Sequence, residues 1–379
     1  MWPASGQKGT HMKQRILPVL LVLSLLLTGC GTYVSVTPHR EQRQTAQTDV
    51  ASAADYLELL AALKATIAAG TEVATITVAD YPQDALERGI RQAIVHARNN
   101  DPLGSYAVED IAYELGTRNG VPAVSVSIAY LHNRSEILRI RKAPTMERAV
   151  SIVSDALENY DSGIVMLVED YKTKDFVQFV QDYAQIHPQL VMEIPLVNQT
   201  IYGTGKDRVV ELIFTYQTNR DSLRRMRDQV QPVFDAAALY VSGDGEDQQK
   251  LSQLYAFLME RFEYKLETSI TPSYSLLRHG VGDSRAFATV YAAMCRSAGL
   301  ECLVVTGTRG GEPRVWNMVL DNGQYYHVDL LHESGSFREY TDWQMSSYVW
   351  DYSEYPACTG QNVEEIPEIT EETQHNKTE

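Results

Sequence analysis

The feature that most limits how this chain can fold is a five-residue pattern that occurs twice. Tyr130-Leu131-His132-Asn133-Arg134 is answered by Tyr216-Gln217-Thr218-Asn219-Arg220, with Tyr, Asn and Arg all at one constant offset. The surroundings match too. Thr75-Ile76-Thr77-Val78 and Ile164-Val165-Met166-Leu167-Val168 read as strands, and each reaches a tyrosine through an aspartate, Asp80-Tyr81 and Asp170-Tyr171. Helical stretches come next at 85–99 and 175–186, then a proline (Pro102, Pro188) and a pair of strands. Self-similarity of this kind marks tandem modules. Residues 54–160 and 161–247 are therefore expected to be two β-α-β-β units, each closed by a helix (146–157, then 221–239). For the Asn-Arg pair the favoured role is structural: a strand-ending turn in which Asn takes a left-handed backbone and Arg lays its stem over Tyr. A ligand site of repeated Asn and Arg is the other reading, but no His, Cys or carboxylate pair accompanies it.

The chain has 379 residues, enough for two or three domains. Hydrophobic residues make up 44% and charged residues 22%, which permits ordinary cores. The formal net charge of −16 argues against a nucleic-acid partner, since phosphate binding needs clustered Lys and Arg.

At the N-terminus, Met12-Lys13-Gln14-Arg15-Ile16 precedes an apolar run over 17–27. A short basic segment before an apolar one reads as a secretory signal, too short to span a bilayer. The run ends in Leu27-Thr28-Gly29-Cys30, which resembles the bacterial lipobox. That resemblance implies a signal peptide over 12–29 and a diacylated Cys30 anchored to the cell membrane on its extracytoplasmic side. Residues 1–11 read as a non-native or misassigned leader, 30–53 as a lipidated flexible tether, and 360–379 as an acidic disordered tail. Cys295, Cys302 and Cys358 remain, which permits at most one disulfide; packing is the expected role of the first two.

Residues 248–359 have a different pattern. Leu251, Leu254, Tyr255, Leu258 and Phe262 have helical spacing. A loop leads to Gly282-Asp283-Ser284-Arg285-Ala286-Phe287-Ala288 and an apolar helix closed by Gly299. Strands are expected at 301–307, 315–320 and 324–330, with Asp321-Asn322-Gly323 as a hairpin turn.

This segment resembles the transglutaminase-like family, which has the papain-like cysteine fold. Bacterial members carry Gly-Val-Cys-x-Gly-Tyr-Ala at a helix start, then His-Ala-Trp-Asn on one strand and Tyr-x-Val-Asp on the next. Phe287-Ala288, Ala298-Gly299-Leu300, Val304-Val305-Thr306-Gly307, Trp316-Asn317 and Tyr325-Tyr326-His327-Val328-Asp329 match that frame in order and spacing. The expected fold class is thus α+β: tandem β-α-β-β modules followed by a transglutaminase-like domain with a helix packed on an antiparallel sheet. The resemblance places the catalytic positions at Ser284, Arg314 and Asp329, where the family has Cys, His and Asp.

Cysteine at a helix N-terminus is pushed toward thiolate by the dipole and a paired imidazolium. Serine gains too little from the dipole and needs a base. Arginine cannot be that base, because it does not deprotonate and has no acceptor. The expectation is therefore a degenerate member: a cell-surface lipoprotein whose domain is non-catalytic and binds a peptide, protein or cell-wall ligand, or acts as a scaffold. Trp316, Asn317, Tyr325 and Tyr326 are expected to line its cleft. The alternative is an acyl-transfer or peptidase enzyme using Ser284 with His327 or His279 as base. His327 would share a strand face with Asp329, displaced by roughly 6.6 Å. A purely structural spacer is a third reading. No cofactor is expected, and no metal, because the histidines lack an i, i+4 partner and the cysteines lack C-x-x-C spacing.

Overall fold

A computed structural model describes residues 51–241, 243–266 and 269–360. Cys30, the signal segment, the leader and residues 361–379 lie outside the described residues. Among the described residues no helix is long and apolar enough to cross a membrane.

The first sheet is built from β1 (Ala51–Ser52), α1 (Tyr56–Ala68), β2 (Val73–Thr77), α2 (Gln83–Val95), a π-helical turn (His96–Asn100), α3 (Pro102–Ala107), β3 (Val108–Arg118) and β4 (Val121–Tyr130). Asp55 starts α1 by accepting the Glu58 amide at 2.9 Å. Leu59, Leu60, Leu63 and Ile67 then fall on its buried face. They meet Ala74 and Ile76 of β2 and the alternating Val124, Val126 and Ile128 of β4. The strand order is β1-β2-β4-β3, with β1 parallel to β2 and the other pairs antiparallel.

The second sheet is reached through α4 (Arg134–Leu138) and comprises β5 (Arg141–Ala143), α5 (Met146–Glu158), β6 (Gly163–Val168), α6 (Phe176–Ile186), β7 (Leu196–Tyr202) and β8 (Arg208–Thr215). Its order is β5-β6-β8-β7, again with the first pair parallel and the rest antiparallel. Helix α5 does not close the first segment, as its sequence position suggested. β5 pairs in parallel with β6, so α5 is the crossover between two strands of the second sheet, as α1 is between β1 and β2.

The Tyr-x-x-Asn-Arg segments are helix junctions, and neither Asn adopts a left-handed turn. Asn133 (φ −71°) and Asn219 (φ −67°) have extended backbones and act as N-caps. Asn133 accepts the Glu136 amide at 3.0 Å, and Asn219 accepts the Ser222 amide at 2.9 Å. Each arginine turns back to the end of an earlier helix. Arg134 Nε donates to the carbonyl of Ala69 at 3.0 Å, and Arg220 Nε to that of Asn159 at 2.8 Å. Ala69 and Asn159 are the C-caps of α1 and α5, whose last carbonyls lack intrahelical donors and carry the negative end of the dipole. The tyrosines differ: Tyr130 donates to Thr71 O at 3.0 Å, while the buried Tyr216 hydroxyl has no partner among the described residues.

After α7 (Arg220–Tyr240) come α8 (Asp247–Met259), β9 (Glu263–Tyr264), α9 (Pro272–His279), β10 (Val281–Gly282), α10 (Ser284–Ser297) and four strands: β11 (Cys302–Arg309), β12 (Glu312–Asp321), β13 (Gln324–Val328) and β14 (Tyr348–Val349). The strands form an antiparallel sheet in the order β13-β12-β11-β14. Asn322 (φ 49°) and Gly323 (φ 77°) make the tight β12–β13 turn that Asp-Asn-Gly predicts. Helix α10 is buried without a break from Ala286 to Cys295. It packs on β11 and β12 on one side and on α8 and α9 on the other, which is why its sequence is apolar all round.

Candidate functional site

Ser284 is the first residue of α10. Asp283 caps the helix by accepting the Ala286 amide at 2.9 Å, which leaves Ser284 half-buried at the positive end of the helix. Gly282 holds the approach close, because a Cβ there would lie 2.9 Å from Ala286 Cβ and 3.1 Å from a Leu276 methyl. From β12, the Val315 amide donates to Ser284 Oγ at 3.3 Å. The helix start and the strand that carries position 314 are thus brought together, as the family resemblance implied.

Arg314 does not turn to Ser284. Its guanidinium forks onto Asp329, with Nε to Oδ2 at 3.0 Å and the terminal nitrogen to Oδ1 at 2.9 Å and Oδ2 at 2.8 Å. The side chains are 12% and 1% exposed, so this charge pair is largely removed from water. Two further donors complete the carboxylate: the Leu331 amide to Oδ1 at 3.0 Å and the Tyr348 hydroxyl to Oδ2 at 2.6 Å. Burial, and then the Asp329 charge, pushes the Tyr348 phenol above its ordinary range, so it remains a donor. Sequence reasoning missed Tyr348. It shares an inward-facing alternation with Trp350 in Tyr348-Val349-Trp350, and that pattern was the available signal.

Neither alternative base reaches the serine. Among the described residues no hydrogen bond joins Ser284 to His327 or His279. His279 is exposed at the end of α9, edge-on to Tyr274 with ring centres 5.3 Å apart. His327 is fully buried with both nitrogens engaged: Trp316 Nε1 donates to Nδ1 at 3.0 Å, and Nε2 lies 2.8 Å from Asp342 Oδ1. Because the indole can only donate, Nδ1 must be the acceptor and Nε2 carries the proton toward Asp342.

The four residues expected to line a cleft do not do so. Trp316 and Asn317 are fully buried. Trp316 packs edge-on against Tyr348 and Trp350, and Asn317 donates to Ala288 O at 2.9 Å and Leu303 O at 3.1 Å. Tyr325 and Tyr326 pair with Leu320 and Val319, at the hairpin end of β12 away from Arg314. Their hydroxyls go to Glu301 and, at 2.9 Å, to Gln324.

Asp342 and Cys358 also meet His327, with ligand atoms all within 4.8 Å of one another. No local spacing signalled this trio, whose members are brought together from separate parts of the chain. Its wiring suits neither a metal nor a nucleophile. The Nε2 proton fixed by Trp316 leaves that nitrogen no lone pair for an ion. The Asp342 Oδ2 accepts the Cys358 amide at 3.0 Å. Burial, then Asp342, pushes the Cys358 thiol up to about 12, the reverse of an activated thiolate. Cys295 and Cys302 are likewise free and buried, and burial pushes the Cys295 thiol well up.

Stability measurements test both clusters. Arg314→Ala leaves the Asp329 charge buried with only two donors and should cost about 3–5 kcal/mol in urea unfolding. A loss below about 1 kcal/mol would mean that the pair behaves as an exposed one. For His327, burial lowers the pKa below 6.5 and Asp342 only partly offsets it. As pH falls below about 6.5 the unfolded chain therefore takes up the proton first, and stability is lost at up to about 1.4 kcal/mol per pH unit until the folded-state pKa is passed. The urea midpoint should fall between pH 7 and pH 5.5 by more in the wild type than in His327→Gln, and equal slopes would refute the assignment.

Residues 235–330 match the transglutaminase-like superfamily, a span that contains Ser284, Arg314 and Asp329. No curated protein matches the chain in sequence. Among solved structures, one described as a TGase shares 10% identity over 58% of this chain and 63% of its own, with a TM-score of 0.26. A candidate cysteine protease from Cytophaga hutchinsonii shares 15% identity over 38% and 65%, with a TM-score of 0.24. A candidate protease from Parabacteroides distasonis shares 11% over 71% and 44%, with a TM-score of 0.22. The chain spans less than two thirds of the length of each. It is a mixed helix-and-sheet protein that carries a transglutaminase-like domain.

Proposed function

We propose that this chain is an exported lipoprotein, held to the outer side of a cell membrane through Cys30, and that its transglutaminase-like domain binds a peptide or cell-wall ligand without turning it over. The observation that carries the non-catalytic reading is the Arg314 fork on Asp329. It occupies the place where the family resemblance calls for an imidazole that shuttles protons between nucleophile and carboxylate. A guanidinium there can neither take the serine proton nor return it to a leaving group. Ser284 Oγ accepts a backbone amide and has no imidazole within reach among the described residues. The helix dipole alone does not bring a serine hydroxyl near the working range of a thiol.

The same reading takes the two N-terminal sheets as copies of one module. Their shared strand order and senses support this, as does the matched use of Asn133 with Arg134 and Asn219 with Arg220 at helix ends. They would hold the C-terminal domain away from the membrane and supply one side of its surroundings.

The purified protein should neither crosslink amines to glutamine nor cleave amides, and Ser284→Ala should change no rate. Wild-type turnover that disappears in Ser284→Ala would overturn the non-catalytic reading. For the anchor, Cys30→Ala should leave an unprocessed precursor or release the protein into the soluble fraction. Normal membrane retention of that variant would end the lipoprotein reading.

A further inference from the structure

A cavity of about 410 Å³ lies between α6 of the second sheet and α10 of the transglutaminase-like domain, and it begins one residue beyond Ser284. Its volume falls in the range of roughly 300–1,000 Å³ typical of small-ligand sites. Helix α6 buries Phe176, Val180 and Ala184 against its own sheet. The opposite side of the helix sends Gln178, Gln181, Asp182 and Gln185 into the cavity. The facing wall is the first turn and a half of α10, with Arg285 and the buried Thr289.

The charges in this cavity are unmatched to one another. Among the described residues Asp182 accepts only the Gln178 amide, at 2.8 Å. Arg285 makes no ion pair among the described residues. One cation and one anion, both exposed, therefore stand on opposite walls, and the three glutamines share the helix of the anion. No aromatic ring lines the space, so it offers no stacking platform for a sugar or a base. A single guanidinium is too little for a polyanion.

We infer that this inter-domain cavity binds a short peptide with free ends, its terminal carboxylate on Arg285 and its terminal ammonium on Asp182. A guanidinium meets a carboxylate with two parallel hydrogen bonds. Glutamine amides can donate and accept, and so match both sides of a peptide bond. The inference rests on the proposal that the domain binds without turnover, and it names both the ligand class and the site.

The test is calorimetric titration of the purified full chain with a panel of free-ended di- and tripeptides, each paired with its N-acetylated and C-amidated forms. The free peptides should bind at least tenfold more tightly than either capped form. Arg285→Ala should lose at least tenfold affinity for the free peptide and no longer distinguish it from the amide. Asp182→Asn should do the same for the acetylated form. Capped peptides that bind wild type as well as free ones do would overturn the inference, even if a variant fails to fold. So would a panel in which nothing binds, or peptide affinity that survives both substitutions. None of these outcomes touches the non-catalytic reading, which falls only if peptide is consumed and Ser284→Ala stops it.

Discussion

A carboxylate taken out of water needs donors for its lone pairs, and Asp329 draws them from three separated parts of the chain. Arg314 comes from β12, the Leu331 amide from the turn beyond β13, and the Tyr348 hydroxyl from β14. Burying an ion costs several kcal/mol unless such partners are in place, so the three donors must arrive together. This ties down the segment between β13 and β14, whose strand is only two residues long and pairs with β11 at Thr308 and Arg309. Arg309 adds to the closure, its guanidinium 5.3 Å from the Tyr348 ring centre.

The same satisfied carboxylate is what the proposal of a non-catalytic serine rests on. In a Cys-His-Asp arrangement the aspartate orients a ring that moves protons, and its remaining contacts must leave that ring free to act. Here every strong donor to Asp329 is fixed in place, and one is a permanent cation. The polar groups around Asp329 hold the sheet together. The second acid–base cluster, His327 with Asp342 and Cys358, is closed in the same manner: Trp316 fixes the tautomer and burial holds the thiol protonated. It fastens the loop beyond β13 to the sheet.

Much of this was legible in the sequence where the signal is local. The Asp-Asn-Gly turn and the apolar helix after Ser284 come from turn chemistry and periodicity, and the facing of Arg314 and Asp329 is what the family resemblance implies. The misreadings came from non-local pairing or from a neglected cue. Strands β1 and β5 have two and three residues, too few for a period, and without β5 nothing assigns α5 to the second sheet. Asn133 reads as a turn only while Glu136, three residues on, is overlooked. That spacing is the one a capping box requires, and both bonds of the box are present. A cleft position for Tyr325 and Tyr326 conflicts with the hairpin register, which alone sets them against Leu320 and Val319 at the far end of β12. The meeting of His327 with Cys358 depends on the path of a long loop that no spacing encodes.

Helices α2 and α6 occupy equivalent places in the two N-terminal sheets, and their outer faces differ according to what each one faces. On α2, Glu87 and Arg91 satisfy one another across one turn at 2.8 Å, both largely exposed, the usual arrangement for a helix side bathed in solvent. On α6, no basic residue appears between Phe176 and Ile186, and the outer face is amides with one carboxylate. Asp182 stays on its own helix with Gln178 instead of bridging to Arg285.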